Sequence, residues 1–166
     1  MSAAGRDPAV QALLDKEAIR EVLRRYCRGV DRGDMELIAS VYHEDATDDH
    51  GIWKGLGKDF AVWIVDMLKD MVQCQHLIGN CTIELHGDAA DCETYCCSVN
   101  DTGQELQIVY NRYIDRFEKR GGEWKIAHRL VVFDVSHTLP REQRYGEGLD
   151  PPLVWGSKDR SDPVYR

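Results

Sequence analysis

The sequence predicts an α+β domain in which N-terminal helices pack on a strongly bent antiparallel sheet. Apolar residues recur at helical spacing through the first part of the chain. Beyond residue 73 the chain changes to long segments rich in β-branched and aromatic residues, which short glycine-containing turns separate. Helices followed by a run of strands are typical of the α+β class, in which helices cover one face of an antiparallel sheet.

The first helix is predicted to begin at Asp7-Pro8, because aspartate is a favoured N-cap and proline is favoured at the first helical position. Its apolar stripe comprises Ile19, Val22, Leu23, Tyr26, Cys27 and Val30. Gly33 is predicted to end this helix as a left-handed cap residue. Asp34 then caps a shorter second helix, so the tight connection predicts a helical hairpin.

The later elements follow from the same patterns. Residues 46–55 are predicted to form a short strand and a turn, and residues 58–72 a third helix with one apolar face. The predicted long strands are residues 74–86, 90–100, 105–119 and 123–135. Residues 1–139 are predicted to form the domain. Residues 140–166 are predicted to form a polar tail, and its Trp155 indicates packing on the domain or on a neighbouring subunit. An ordinary loose terminus stays open as the alternative.

Composition and charge limit the classes of function. The 166 residues are 43% hydrophobic and 30% charged, which suits one domain with a substantial core. A net charge of −8 argues against nucleic acid or an anionic membrane as a partner. No apolar run approaches the ~20 residues that cross a bilayer, and the N-terminus lacks the apolar core of a signal peptide. We therefore expect a cytoplasmic protein.

Two groups of residues contain types that bind metal ions. The six cysteines include no Cys-x-x-Cys pair, and we expect small buried side chains without disulfides. The segment His43–His50 is rich in histidine and carboxylate residues, but it lacks a recognised spacing such as His-Glu-x-x-His. We predict neither a metal site nor a cofactor.

An acid stands at the end of the first helix, where the helix dipole disfavours a carboxylate by about 0.3–1 kcal/mol. Asp31 therefore needs a partner, and His76 is the best candidate downstream. Histidine suits a general base because its ordinary pKa, about 6.5, leaves the ring neutral near pH 7. An aspartate can fix the tautomer of such a ring and stabilise its protonated form. Two other roles stay open: Asp31 as a turn cap and His76 as a hydrogen-bonded core residue.

Several stretches resemble the SnoaL-like branch of the NTF2-like superfamily. They are residues 18–20, 26–34, 43–46, 76–80 and 122–129. The resemblance covers roughly residues 10–135 and is greatest to cofactor-free lyases, namely scytalone dehydratase, hexachlorocyclohexane dehydrochlorinase and bile-acid 7α-dehydratase. It implies a cone-shaped α+β barrel. It also implies that His76 removes a proton from the substrate while Asp31 orients its ring.

The same resemblance, together with the chemistry of the side chains, indicates further candidate residues of the pocket. Tyr26 and Arg129 match pocket positions of the family. The hydroxyl groups of Tyr26, Tyr42 and Tyr95 are candidates to hold a carbonyl or a leaving hydroxyl, and Arg129 is a candidate to stabilise an enolate. Tyr26 and Tyr42 equally suit ordinary helix packing, because they lie on helical apolar stripes.

The sequence thus predicts a cofactor-independent, dehydratase-like lyase or isomerase that acts on a hydrophobic ring-type small molecule. The resemblance also implies a homo-oligomer, either a trimer or a dimer. An alternative stays open, because one fold hosts many functions. It is a non-catalytic small-molecule-binding or assembly module of the same fold, such as the β-subunit of a ring-hydroxylating dioxygenase.

Overall fold

The computed structural model describes residues 7–142, 146 and 148–165. Residues 1–6, where the sequence predicts no signal peptide, lie outside the described part. The elements are α1 (Pro8–Asp31), α2 (Met35–Ser40), β1 (Tyr42–Asp49), β2 (Lys54–Leu56), α3 (Gly57–Leu68), β3 (Gln73–His86), β4 (Ala89–Asp101), β5 (Glu105–Arg120) and β6 (Glu123–Pro140), with a 3-10 turn at Pro163–Tyr165. None of the described helices combines the length and apolarity that a bilayer crossing requires.

All the strands belong to one sheet, in the order β2-β1-β6-β5-β4-β3. The last four strands form the predicted antiparallel meander, and the α+β architecture is confirmed. The sheet differs from the prediction in one respect, because β1 lies parallel to β6, with Asp48 opposite Arg129. The sheet is therefore mixed, and β2 and β3 are its edges.

Strand β1 begins at Tyr42, four residues before the predicted strand. The prediction missed its first residues because this stretch is polar and does not have the pattern of a strand. Two side chains of that stretch find partners at the end of β5. His43 Nε2 lies 2.9 Å from the backbone oxygen of Glu118, and Arg120 Nη1 donates to Asp45 Oδ1 at 2.6 Å. These contacts allow a charged segment to pair as a strand, which a hydrophobic pattern alone does not reveal.

The helical hairpin depends on a close approach between α1 and α2. A Cβ atom added to Gly29 would lie 2.8 Å from Cγ1 of Ile38, so no larger residue fits there. Gly33 has a φ of +60°, the left-handed conformation predicted for the end of α1. Asp34 caps α2 as predicted, because its Oδ1 accepts a hydrogen bond from the backbone nitrogen of Leu37 at 3.1 Å.

The helices pack on one side of the sheet, which we call the covered face; the other side is the outer face. Side chains of a strand alternate between the two faces. On β4, Cys92, Thr94 and Cys96 are buried on the covered face, while Glu93 and Tyr95 lie on the outer face. The core therefore lies between the helices and the covered face.

The tail contacts the ends of the helices. Lys158 Nζ donates to the backbone oxygens of Leu68, where α3 ends, and of Met71, the latter at 3.0 Å. Arg32, next to the end of α1, lies 3.4 Å from Asp162 through its Nε atom. An ammonium group at the C-terminus of a helix satisfies unpaired carbonyls and complements the helix dipole.

Asp15 anchors α1 to the sheet. Its Oδ1 accepts hydrogen bonds from Trp124 Nε1 at 2.8 Å and from Lys119 Nζ at 2.9 Å. Burial opposes the charge of Asp15, but these donors lower the pKa of its carboxyl below the ordinary value. A carboxyl with a lowered pKa stabilises the fold above its unfolded pKa, about 3.9, and this stabilisation is lost as the pH falls through the folded pKa.

Asp15→Asn is expected to lower the free energy of unfolding at pH 7 by about 1–3 kcal/mol, because the hydrogen bonds lose their charged acceptor. The difference from wild type should shrink at pH 3, where the wild-type carboxyl begins to be protonated. Urea unfolding of both proteins at pH 7 and at pH 3 measures this difference in the free energy of unfolding. Asp70→Asn, on an exposed residue, is the control and should change the value by less than ~0.5 kcal/mol. An equal loss at both pH values would contradict the role of the charge.

Candidate active site

Asp31 and His76 meet where the end of α1 packs on β3. Asp31 Oδ1 lies 2.6 Å from His76 Nδ1, and Asp31 Oδ2 accepts a hydrogen bond from the backbone nitrogen of His76 at 3.1 Å. Only 12% of each side chain is exposed. A carboxylate can only accept hydrogen bonds, so Nδ1 carries the proton. No described residue bonds to Nε2, which is the free nitrogen of the ring.

The helix end explains why Asp31 needs both donors. Carbonyl groups at the C-terminus of α1 carry partial negative charge, which disfavours a carboxylate there. The two N–H groups of His76 offset this repulsion, and together they fix the position of the carboxylate. The acid and the imidazole that the sequence pairs are therefore in direct contact.

His76 lines a cavity of about 300 Å³ between α3 and the covered face. Its apolar lining comes mainly from α1, from α3 and from the turn that follows α3: Val30, Trp63, Ile64, Met67, Leu68 and Met71. Its polar wall comes from β4 and β5: Ser98, Asn100, Gln107 and Asn111. No lysine, arginine, aspartate or glutamate from the described residues lines the cavity. The cavity therefore suits a neutral molecule with an apolar body and a few oxygen atoms.

A second histidine, His50, lines the same cavity. Its Nδ1 is hydrogen-bonded to Oδ1 of Asp48, and its Nε2 lies 3.3 Å from the hydroxyl of Tyr26. The other carboxylate oxygen of Asp48 accepts a hydrogen bond from the hydroxyl of Tyr42 at 2.6 Å. Burial raises the pKa of Tyr26 well above the ordinary value, so its hydroxyl remains protonated. This second His–Asp pair was not among the site residues predicted from the sequence.

The sequence does contain a signal for this second pair. Asp48 and His50 are two residues apart at the end of β1, so their side chains fall on one face of a strand. The signal is weak on its own, because the segment also contains His43, Asp45 and Asp49, which lie elsewhere. Among the described residues, no three histidine, cysteine, aspartate or glutamate side chains gather as a metal ion would require.

Arg129 lies behind the cavity wall and does not line it. Its guanidinium stacks between the rings of Tyr26 and Tyr113, at 4.2 and 4.1 Å from the ring centroids. Its Nε and Nη2 donate to the two carboxylate oxygens of Asp115 at 2.7 and 2.8 Å. Burial opposes the charge, but the adjacent Asp115 carboxylate raises the pKa of Arg129, which stays charged. Its role here is to hold two aromatic rings of the wall.

The two remaining predicted tyrosines lie away from the cavity. Tyr42 is buried, and its hydroxyl is bound to Asp48 instead of facing a ligand. Tyr95 is 49% exposed on the outer face. Its neighbours Thr94 and Cys96 turn toward the helices, and alternation along β4 places Tyr95 on the opposite side. Of the predicted pocket tyrosines, only Tyr26 reaches the cavity.

Asp115→Asn is expected to lower the free energy of unfolding by about 3–5 kcal/mol, because it leaves the charge of Arg129 buried without a counter-ion. Replacing both residues, by Asp115→Leu and Arg129→Met, should recover more than half of that loss. Urea unfolding provides the measurement.

The exposed pair Arg112–Asp134 is a matched control. It has the same two-point geometry, at 2.9 and 3.0 Å, on β5 and β6. Asp134→Asn should cost less than ~1 kcal/mol, because solvent screens the pair. A similar loss for Asp134→Asn and Asp115→Asn would contradict the role given to burial.

Comparisons with known proteins identify the family and the fold of this chain. The SnoaL-like domain matches residues 11–130. The uncharacterized protein Rv2910c of Mycobacterium tuberculosis is 22% identical over 128 residues, which cover 74% of this chain and 87% of that protein. A hexachlorocyclohexane dehydrochlorinase (LinA), type 2, is 20% identical with a TM-score of 0.76, covering 85% of this chain and 99% of that one.

A scytalone dehydratase-like protein from Novosphingobium aromaticivorans DSM 12444 is 18% identical with a TM-score of 0.71, covering 82% of this chain and 93% of that one. These two structural likenesses show a shared fold. The domain match spans most of the chain. The chain therefore belongs to the SnoaL-like family of the NTF2-like superfamily.

Proposed function

We propose that this protein is a cofactor-independent lyase of the dehydratase type, which removes water from a neutral, ring-bearing small molecule. The observation that carries the proposal is that His76, hydrogen-bonded to Asp31, lies on the wall of a largely apolar cavity. The dehydratase and dehydrochlorinase names of the structural neighbours support a reaction of this kind.

His76 is the general base in this proposal. Its Nδ1 proton is held by Asp31, so Nε2 has a lone pair to take a proton from a carbon next to a carbonyl group of the substrate. Asp31 stabilises the imidazolium that forms and keeps the ring in place, as in the His–Asp pair of a serine hydrolase. The electron pair of the broken C–H bond becomes the new double bond as the hydroxyl group leaves from the adjacent carbon.

His50 is the acid in this proposal. A hydroxide is a poor leaving group and needs a proton, which a protonated His50 Nε2 can deliver in the cavity, beside the hydroxyl of Tyr26. Asp48 lies behind His50, and its contact with Nδ1 fixes the position of the ring. The two histidines of the cavity, each bonded to an aspartate outside it, thus act as the base and the acid of the proposed reaction.

The lining suggests where the oxygens of the substrate bind. Oδ1 of Asn111 is buried and has no hydrogen-bond partner among the described residues. A buried acceptor without a donor costs about 1–3 kcal/mol, which a substrate hydroxyl would recover. Asn111 lies on the polar wall, opposite the apolar surface of α3. A hydroxylated ring compound, apolar on one face, fits both surfaces.

His76→Ala is expected to lower kcat/KM for dehydration by about 10²–10⁴, the usual value of general-base catalysis. The assay follows the conjugated product by its absorbance, using a panel of cyclic β-hydroxy ketones. His86→Ala is the matched control, because His86 lies further along the same strand with half of its side chain exposed. The activity of this variant should equal that of the wild type. Ligand binding without turnover in the wild type would contradict the proposal and favour the non-catalytic module.

His50→Ala should be sensitive to the leaving group. With a hydroxyl leaving group we expect a loss of at least ~10²-fold, because the acid is missing. With an acetate leaving group, which departs without a proton, His50→Ala should retain near wild-type turnover, whereas His76→Ala should remain impaired. Equal losses for both leaving groups would exclude His50 as the acid. The measurement is kcat/KM for the two substrates with each variant.

We propose further that the outer face mediates homo-oligomer formation. Leu77, Cys97, Tyr110 and Val135 are consecutive register partners across β3, β4, β5 and β6. Three of them are large hydrophobic side chains that are 43–54% exposed. A continuous apolar row of this kind is typical of a protein interface.

Tyr110→Lys should convert the oligomer to a monomer, because it places a charge in the centre of that row. Size-exclusion chromatography with light scattering measures the mass. Val62→Lys, an exposed apolar residue on α3, is the control and should keep the wild-type mass. A monomeric wild type, or an unchanged mass for Tyr110→Lys, would contradict the interface.

A further inference from the structure

Two cysteines on neighbouring strands place their sulfur atoms in contact. Cys81 on β3 and Cys92 on β4 have Sγ atoms 3.6 Å apart. The strand register puts Cys81 opposite Thr94 and Ile83 opposite Cys92. The two cysteines are therefore diagonal neighbours, and both lie on the covered face. A disulfide needs an S–S distance of about 2.05 Å, so the thiols must move closer by roughly 1.6 Å.

Thr94 completes a triangle with the two thiols. Its Oγ1 donates to Cys81 Sγ at 3.5 Å and lies 3.4 Å from Cys92 Sγ. Cys81 is partly exposed on β3, an edge strand, whereas Cys92 is buried. A small reagent from solvent therefore reaches Cys81 first, and Cys92 lies directly behind it.

The surroundings of the two thiols also shift their pKa values in opposite directions. The hydrogen bond from Cys92, with help from Thr94 and Arg20, outweighs partial burial and lowers the pKa of Cys81 to about 6. The same interaction raises the pKa of Cys92 above the ordinary value, and burial adds to it. Of the two cysteines, Cys81 is therefore the one that more readily forms the thiolate, which is the reactive form of cysteine.

We propose that Cys81 and Cys92 form a redox-active thiol pair, which hydroperoxides convert into an intramolecular disulfide. The Cys81 thiolate attacks one oxygen of the hydroperoxide and breaks the O–O bond; with one proton from solvent this gives the sulfenic acid and, from hydrogen peroxide, water. The Cys92 thiol then attacks the sulfenic sulfur, forms the S–S bond and releases a second water. The pair loses two electrons and the peroxide gains them.

The other cysteines on the covered side are protected. Burial raises the pKa of Cys27 and Cys96, and it raises that of Cys74 to about 11. Cys97 lies on the outer face, partly exposed. Among the cysteines on the covered side, oxidation should therefore be selective for Cys81. The disulfide would join β3, which carries His76, to β4. Its formation does not depend on whether His76 is catalytic.

The test is a map of the cross-link. The full-length protein is treated with hydrogen peroxide at pH 7, quenched with N-ethylmaleimide and digested without reduction by a protease that cleaves after glutamate. Cleavage after Glu84 and Glu93 isolates Cys92 in residues 85–93, apart from every other cysteine. We expect a disulfide to join the peptide of residues 85–93 to the peptide that ends at Glu84 and contains Cys81. Cys81→Ser and Cys92→Ser should lose the link, and Cys97→Ser should keep it.

The pH dependence of alkylation provides an independent readout that needs no disulfide. Between pH 7 and pH 5 the rate at Cys81 should fall about tenfold, because its pKa is about 6. Free cysteine, with a pKa of about 8.5, should fall about 100-fold over the same range. A joined peptide that persists in Cys81→Ser, no joined peptide in the wild type, or a rate at Cys81 that follows free cysteine would each overturn the proposal.

Discussion

The two hydrogen bonds from His76 to Asp31 fix the relation between α1 and β3, and the proposed site depends on that relation. The carboxylate sits at the end of a helix that disfavours its charge. It is held there because one residue of the strand offers both a ring N–H and a backbone N–H, at 2.6 and 3.1 Å. A small shift of either element would break both contacts at once, so the helix and the strand position the imidazole together.

The cavity lining is uncharged because the buried charges nearby are paired behind its wall. Arg129 and Asp115 are buried, but they neutralise each other behind the wall, and the rings of Tyr26 and Tyr113 cover the guanidinium. The proposed proton transfer between His76 and a substrate carbon would take place in a space that no charged side chain of the described residues lines. Low local polarity strengthens every remaining electrostatic contact, including the one between Asp31 and His76.

Local sequence patterns predicted the helices and the antiparallel strands, because helical spacing, caps and turn residues are local signals. The position of Asp31 at a helix end indicated that it needs a partner, but the choice of His76, 45 residues away, depended on the family resemblance. The parallel β1–β6 contact was not predicted, because the polar residues of β1 are satisfied only by distant partners such as Glu118 and Arg120. The placement of Tyr95 on the outer face and of His50 in the cavity depends on strand register, which pairs residues far apart in sequence.

The tautomer of His76 tests this account most directly. Nitrogen NMR of isotope-labelled histidine distinguishes a ring protonated on Nδ1 from one protonated on Nε2. The account predicts that neutral His76 carries its proton on Nδ1, bound to Asp31, and that Asp31→Leu removes this preference. A wild-type ring with its proton on Nε2 would have no lone pair facing the substrate and would contradict the assignment of His76 as the base.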